Sequence, residues 1–244
     1  MDNNFFNLCK YEAIKFFKFS KILIGFLAVL IFAFIAFPGY LGNPRISIEE
    51  LQLNSLSNFI KTFFFVFSLG FACYIMGLEK EERTLKIIRS KPVAAWKVLT
   101  AKYLVGLIYT ILQLICMFGV TLFFGLIFSN SQTQSLVHIF GVYSIHILPL
   151  FYIVALSILL GILTNSMVFI FLWDYLLIFA SKLMENIQQI AMYLPTYNMD
   201  LLDKVTVPLL YNQIVMRKLS IMLIHIGILF VITVICYSKK EIRQ

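Results

Sequence analysis

Six long apolar runs constrain this chain more than any other feature of its sequence. They cover residues 20–37, 59–78, 103–128, 136–163, 167–184 and 218–237. A helix needs about 20 apolar residues to cross the hydrocarbon core of a bilayer, so each run is long enough for a membrane span. The chain is 61% hydrophobic and only 13% charged, whereas a soluble domain has about 25% charged residues. The sequence therefore predicts an all-α membrane protein with six transmembrane helices and excludes a soluble enzyme.

The basic residues predict how these spans are oriented. The chain has 20 Lys and Arg residues against 12 Asp and Glu residues, a formal net charge of +8. Four of the basic residues lie in 10–21, seven in 80–102 and three in 239–243. Such residues accumulate in the cytoplasmic segments of membrane proteins. We therefore expect both termini in the cytoplasm, and we expect no nucleic-acid partner because the positive charge flanks apolar runs.

The N-terminal segment 5–20 has the pattern of an amphipathic elbow helix. Its apolar face is formed by Phe5, Phe6, Leu8, Cys9, Ala13, Phe16 and Phe19. Lys10, Lys18 and Lys21 lie on the opposite face, and Glu12 and Ile14 depart from the pattern. A basic helix of this kind lies in the membrane interface, in contact with lipid. The alternative is a cytoplasmic extension of the first span.

Segment 79–102, between the second and third spans, mixes charged and apolar residues. Acidic residues come first in this segment and basic residues follow, an order that suits the helix macrodipole. Pro92 ends this short helix, and a second helix is expected to start near Val93 and to continue into the third span. The composition favours docking of a partner protein, with a solvated loop as the alternative.

This segment resembles the signature of the ABC type-2 exporter permeases. The residues that match it in order and spacing are Glu82, Thr84, Leu85, Pro92 and Lys102. Arg83 and the pair Ala94-Ala95 depart from it. The N-terminal helix, the six spans and the long outer segment 185–217 match the same family, so the resemblance covers the whole chain, 1–244, as one permease domain.

The resemblance implies a transport subunit that is not itself an enzyme. Two permeases, alike or related, would form a dimer and bind ATPase subunits through a coupling helix over residues 79–92. The coupling residues would be Glu79, Glu81, Glu82, Thr84, Leu85, Ile88, Pro92 and Lys102. The chain has no GxxxxGK[ST] phosphate-binding loop, so we expect no cofactor on it, with ATP and magnesium on the partner ATPase. The family implies export of an amphipathic or apolar cargo, such as a bacteriocin or toxin peptide, across the bacterial cytoplasmic membrane. Segment 185–217 would form short outer helices.

Polar residues within the spans are functional candidates, because a buried polar group needs a partner. Asp174 should face protein or water, either lining the translocation path or forming a structural hydrogen bond. Gln113 is expected to bond to a neighbouring helix. No metal site is indicated, because the three histidines lack a second ligand at helical spacing and the four cysteines form no CxxC pair.

An enzyme is the competing hypothesis, namely an intramembrane protease of the CAAX type. Residues 81–86 approach the Glu-Glu-x-x-x-Arg motif of those proteases. However, Lys86 replaces the arginine, and the two acids are expected in a soluble loop rather than inside the bilayer. The protease therefore remains the alternative to the transport subunit.

Overall fold

A computed structural model describes residues 3–17, 48–58, 94–128, 136–164, 167–199 and 213–242. These ranges are helical and contain no strand. We label their helices α1 to α9 in chain order: Asn3–Phe17, Ile48–Asn58, Ala95–Phe128, Leu136–Ile145, Ile147–Leu163, Met167–Met184, Gln188–Ala191, Pro195–Met199 and Gln213–Ile242. The predicted spans 20–37 and 59–78 and the coupling region 79–92 lie outside the described residues.

Helix α3 is the longest of the described helices. It has 34 residues, about 51 Å at 1.5 Å per residue, and is longer than the hydrocarbon core of a bilayer, about 30 Å. Its first turn is closed by a hydrogen bond of 2.9 Å from the Lys97 amide to the Ala94 carbonyl. The expectation of a helix that starts near Val93 and runs into the third span is confirmed, with the first helical residue at Ala95.

The fourth apolar run is interrupted at His146, between α4 and α5. Pro149 lacks the amide proton that would bond to the carbonyl four residues earlier, and its ring clashes with that carbonyl. The helix resumes with a hydrogen bond of 3.2 Å from the Leu150 amide to the His146 carbonyl. The buried His146 ring lies back against α4, with Nδ1 2.7 Å from the Val142 carbonyl oxygen.

Helix α5 forms the centre of the described bundle. Its residues are buried almost continuously from Pro149 to Ile162, and it packs against α3, α6 and α9. A helix that is apolar on every side must be surrounded by other helices or by lipid. Here other helices surround it. Tyr103 links three of them, because its hydroxyl on α3 lies 3.0 Å from Thr233 Oγ1 on α9 and its ring packs edge-on against Phe151 on α5.

Two apolar clusters show which helix ends lie together. The first joins the beginning of α3 with α5 and the end of α9, through Leu99, Ile158 and Tyr237. Ala13 of α1 packs against this cluster. The second joins α2, the later half of α3 and α4, through residues that include Leu56. Helices α1 and α2 therefore lie at opposite ends of α3.

Three helical segments in the described ranges are long and apolar enough to cross a membrane. They are Ala95–Ile127, Ile139–Leu163 and Gln213–Lys239. Helix α6 covers the fifth predicted run but is shorter, with 18 residues that include Asp174 and Lys182. The described part of the chain is thus all-helical with three candidate membrane spans, and the total of six spans stays a prediction.

Segment 185–217, predicted to lie on the outer side, is described at residues 185–199 and 213–217. It contains α7 and α8, as the family resemblance implies, and α8 packs on α5, α6 and α9. Helix α9 begins at Gln213, five residues before the predicted span at 218. Residues 213–217, which precede the apolar run, contain neither proline nor glycine. Nothing in their sequence therefore prevents the helix from starting before the run does.

Candidate functional site

The beginning of α3, which the charge pattern predicts to lie at the cytoplasmic side, contains a buried ion pair. Lys102 Nζ on α3 lies 3.2 Å from Glu12 Oε2 on α1, and the two side chains are 0% and 3% exposed. The second carboxylate oxygen, Glu12 Oε1, is also buried and has no hydrogen-bond partner within the described ranges. Residues 90 positions apart in the sequence thus meet at the junction of two helices.

The packing of α1 explains why Glu12 lies on an otherwise apolar face. Leu8, Cys9 and Ala13 on this face are partly buried, whereas Phe6 on the same face and Tyr11 are exposed. Because α1 packs on α3, part of its predicted apolar face is turned toward protein. That the exposed part of this face lies on lipid stays a prediction. Helix formation in this segment is as expected, over Asn3–Phe17.

Cys9 lies one turn before Glu12 and is affected by it. Burial raises the pKa of the Cys9 thiol above its ordinary value of 9.0, and the negative charge of Glu12 raises it further. A hydrogen bond from the backbone lowers the same pKa in part. The Cys9 thiol is consequently a local probe of the charge on Glu12.

A second buried acidic group lies inside the bundle. Asp174 on α6 is fully buried, and its Oδ2 lies 2.5 Å from Ser157 Oγ on α5. The Ser157 hydroxyl is also 2.9 Å from the Ile153 carbonyl oxygen of its own helix. Asp174 Oδ1 is buried without a hydrogen-bond partner among the residues that the structure describes. Asp174 therefore makes an interhelical contact and faces protein in this structure.

Gln113 forms no interhelical hydrogen bond with any residue that the structure describes. Its amide Nε2 donates to Tyr109 Oη of the same helix, at 2.7 Å. The spacing of four residues places both side chains on one face of α3. In the part of the chain that the structure describes, the expected contact with a neighbouring helix is absent for Gln113.

The opposite end of α3 has its own buried polar contact. Gln52 of α2 is fully buried, and its Oε1 accepts hydrogen bonds from Thr121 Oγ1 at 2.7 Å and from Tyr143 Oη at 3.0 Å. These bonds join α2 to α3 and α4. No pattern in the sequence indicated them, because Gln52 lies in a short, weakly apolar segment.

Helix α8, in the segment predicted to lie on the outer side, is joined to the beginning of α9 by Lys218. The Lys218 ammonium donates to the Tyr197 carbonyl oxygen at 2.9 Å and lies 4.5 Å from the centre of the Tyr197 ring. The side-chain amide of Asn198, within α8, donates hydrogen bonds to the carbonyls of Met192 and Leu194, which precede this helix. Helix α8 is therefore held by specific polar contacts.

The structure describes two of the predicted site residues and places them apart. Lys102 lies at the junction of α1 and α3, and Asp174 lies between α5 and α6. The remaining coupling residues lie outside the described residues, namely Glu79, Glu81, Glu82, Thr84, Leu85, Ile88 and Pro92. Sequence reasoning missed Glu12 as a functional candidate, although its position on an apolar helix face was a usable signal. The described ranges contain no group of three His, Cys, Asp or Glu residues that could hold a metal ion.

Comparison with known proteins agrees with this helical membrane architecture. No curated protein and no solved structure matches the chain. A family model described as "ABC-2 family transporter protein" matches residues 8–181, a range that includes both Glu12 and Lys102. Because this match covers more than half of the sequence, the chain belongs to the ABC-2 transporter family, whose members are the membrane permease subunits of ABC transporters.

Proposed function

We propose that this chain is the membrane subunit of an ATP-driven exporter of amphipathic or apolar cargo, with peptide as the expected class. Two permeases, either two copies of this chain or one copy and a related chain, enclose the path. ATP and magnesium bind to separate ATPase subunits. The observation that carries the proposal is the family match over residues 8–181, and the long apolar helices of the bundle support it.

The arrangement of α3 supports coupling to an ATPase at the cytoplasmic surface. Helix α3 begins at Ala95, directly after the proposed coupling residues 79–92, and continues without interruption to Phe128. A continuous helix transmits a displacement of its first turn along its whole length. The acids and apolar residues of 79–92 contact the ATPase in this proposal. Lys102, which is buried, acts from within the protein by holding α1.

The side chains of α6 support an apolar or amphipathic cargo. Trp173, Tyr175, Leu176 and Phe179 are exposed on this helix, whereas Asp174 between them is turned toward α5. A path bordered by such residues offers large apolar surfaces and few polar contacts. The carboxyl group of Asp174 would provide a negative charge for a cationic side chain of the cargo once α5 and α6 separate.

The described helix ends support a location in the bacterial cytoplasmic membrane with both termini in the cytoplasm. Helix α1 and the end of α9 approach the same apolar cluster, so they lie at one end of the bundle. Basic residues occur in both, including Lys10 and Lys239. This arrangement agrees with the excess of positive charge that is typical of cytoplasmic segments.

A purification and transport experiment tests the proposed function. The chain is extracted from its native membrane in mild detergent and tested for a co-purifying ATPase subunit. The complex is then placed in vesicles, and ATP-dependent movement of amphipathic peptides is measured. Vesicles with an ATPase subunit unable to hydrolyse ATP serve as the control. We expect peptide movement and peptide-stimulated ATP hydrolysis with the intact complex alone. A chain that purifies without an ATPase and that cleaves prenylated peptides would contradict the proposal and favour the protease.

A further inference from the structure

Burial of the Glu12–Lys102 pair carries a desolvation cost in free energy, whereas the apolar packing around it does not. Taking two charges out of water requires several kcal/mol per ion, and pairing them often only offsets this penalty. The pair lies beside an apolar cluster to which Leu99, Ala13 and Ala95 belong or pack. Glu12 Oε1 has no hydrogen-bond partner in the described residues. An apolar pair of similar size would hold the two helices together as well.

An ion pair is a directional contact, whereas an apolar contact is not. Apolar contacts are non-directional, so they oppose sliding or rotation of two helices only through the shape of the packed side chains. A hydrogen bond joins particular atoms, and setting helix register is the best-attested role of buried polar groups. The distance of 3.2 Å between Lys102 Nζ and Glu12 Oε2 therefore fixes both the rotation of α1 and its position along α3.

The location of the pair gives this register a consequence. Lys102 lies two turns after Ala95, where α3 begins, and the proposed coupling region ends three residues earlier at Pro92. A displacement of that region reaches the Lys102 turn before it reaches the rest of the bundle. Helix α1 also packs, through Ala13, on the cluster that includes Tyr237 of α9. The N-terminal helix is thus placed between the start of α3 and the end of α9.

We propose that Glu12 and Lys102 are positioning residues, whose ion pair fixes the register of α1 on α3 so that α1 moves with the cytoplasmic end of α3 during transport. Only the source of that motion rests on the function proposed above. The register itself is a property of the permease alone. ATP binding on the partner displaces α3, and the ion pair transmits this displacement to α1. Without the ion pair, α3 moves and α1 does not follow it.

The geometric part of this proposal is tested on the full chain in detergent. Spin labels are placed at Phe6 on α1 and at Trp96 on α3, whose side chains are 71% and 50% exposed. The distribution of distances between the labels is compared in three proteins: the parent chain, the neutral variant Glu12→Gln/Lys102→Met and the swapped variant Glu12→Lys/Lys102→Glu. We expect a broad distribution in the neutral variant and a narrow one in the other two. An equally narrow distribution in the neutral variant would overturn the proposal.

The functional part is tested on the complex with its ATPase in vesicles. The measured quantity is the number of peptides exported per ATP hydrolysed, and the melting temperature is recorded on the same preparation. We expect the neutral variant to melt within a few degrees of the parent, because both charges are removed together. Its export per ATP should fall by about fivefold, the lower end of typical coupling between sites. The swapped variant should recover most of the loss.

A matched control separates a general charge effect from the effect of the pair. Lys10→Gln removes a charge from an exposed position of the same helix and should leave export per ATP unchanged. A neutral variant that melts normally and exports normally would show that the pair only packs the helices. If the parent chain exports nothing in an ATP-dependent manner, the proposed function fails, whereas the label distances still decide whether the pair sets the register.

Discussion

Asp174 on α6 and Ser157 on α5 form an interhelical contact, with 2.5 Å between Oδ2 and Oγ. Both side chains are fully buried, so the contact is removed from solvent. A polar group in the apolar interior of a membrane protein needs such a partner, and its partner is often a serine or threonine of the next helix. The contact joins the central helix α5 to the helix that carries the largest exposed aromatic surface.

The first prediction concerns the stability that this contact provides. Ser157→Ala removes the donor and leaves both oxygens of Asp174 without a partner in the described bundle, which should cost on the order of 1–2 kcal/mol. Asp174→Asn retains an acceptor oxygen and should cost less. Thermal unfolding in detergent measures both. Ser144→Ala is the control, because this exposed hydroxyl bonds only to the Phe140 carbonyl of its own helix among the described residues. Equal losses for Ser157→Ala and Ser144→Ala would contradict the prediction.

The second prediction concerns transport through the same residue. If the Asp174 carboxylate meets cationic cargo, Asp174→Asn removes the charge and leaves the shape of the side chain nearly unchanged. We expect this variant to keep its ATPase partner and its basal ATP hydrolysis. Export of lysine-bearing amphipathic peptides should fall, while export of neutral analogues stays at the parent level. An equal effect on both peptides, together with a lower melting temperature, would identify Asp174 as a structural residue only.

Much of the helical framework could be predicted from the sequence, because it depends on local patterns. The start of α3 near Val93 follows from Pro92, and the break at His146 follows from Pro149. The polar start of α9 was missed. A hydropathy run reports where the chain is apolar, whereas a helix ends only where a residue such as proline or glycine ends it.

The contacts between helices could not be predicted, because periodicity identifies a face but not its partner. Glu12 was visible as a charge on an apolar face and Lys102 as a match to the family signature. They are 90 positions apart, and nothing in the sequence between them indicates that they meet. The same holds for the Ser157–Asp174 contact and for Gln52, whose partners lie on two other helices.

The third prediction concerns the outer contact of Gln52. Its Oε1 accepts two hydrogen bonds that join α2 to α3 and α4. Gln52→Ala should therefore destabilise the protein by about 1–3 kcal/mol, because it removes two buried hydrogen bonds that contribute about 0.5–1.5 kcal/mol each. It should also speed hydrogen exchange in α2. Asn54→Ala is the matched control, since Asn54 is exposed on the same helix. A similar melting temperature for the two variants would show that the Gln52 bonds contribute little.

The fourth prediction uses Cys9 to report the charge on Glu12. Burial and the Glu12 carboxylate raise the pKa of the Cys9 thiol above 9.0, so the reactive thiolate is scarce at pH 8. Glu12→Gln removes the second cause and lowers the pKa, which should speed alkylation by iodoacetamide at pH 8. Lys102→Met leaves the carboxylate uncompensated and should slow it. Both are measured in a chain with serine at Cys73, Cys116 and Cys236. Faster alkylation in both variants would indicate loosening of α1 rather than a change in charge.

The last prediction concerns the coupling residues Glu81 and Glu82. These acids are predicted to lie outside the bilayer, where a surface charge pair contributes about 0–1 kcal/mol to stability. Removing the partner of a charge that is desolvated in an interface costs about 2–5 kcal/mol. Reversing both to lysine should therefore leave the melting temperature of the permease nearly unchanged and abolish co-purification of the ATPase. Reversal of Glu49 and Glu50 is the matched control, because this acid pair belongs to α2, at the opposite end of α3 from α1. Normal co-purification and export after reversal at Glu81 and Glu82 would refute their assignment to the ATPase contact, and loss of co-purification after reversal at Glu49 and Glu50 would refute the predicted orientation.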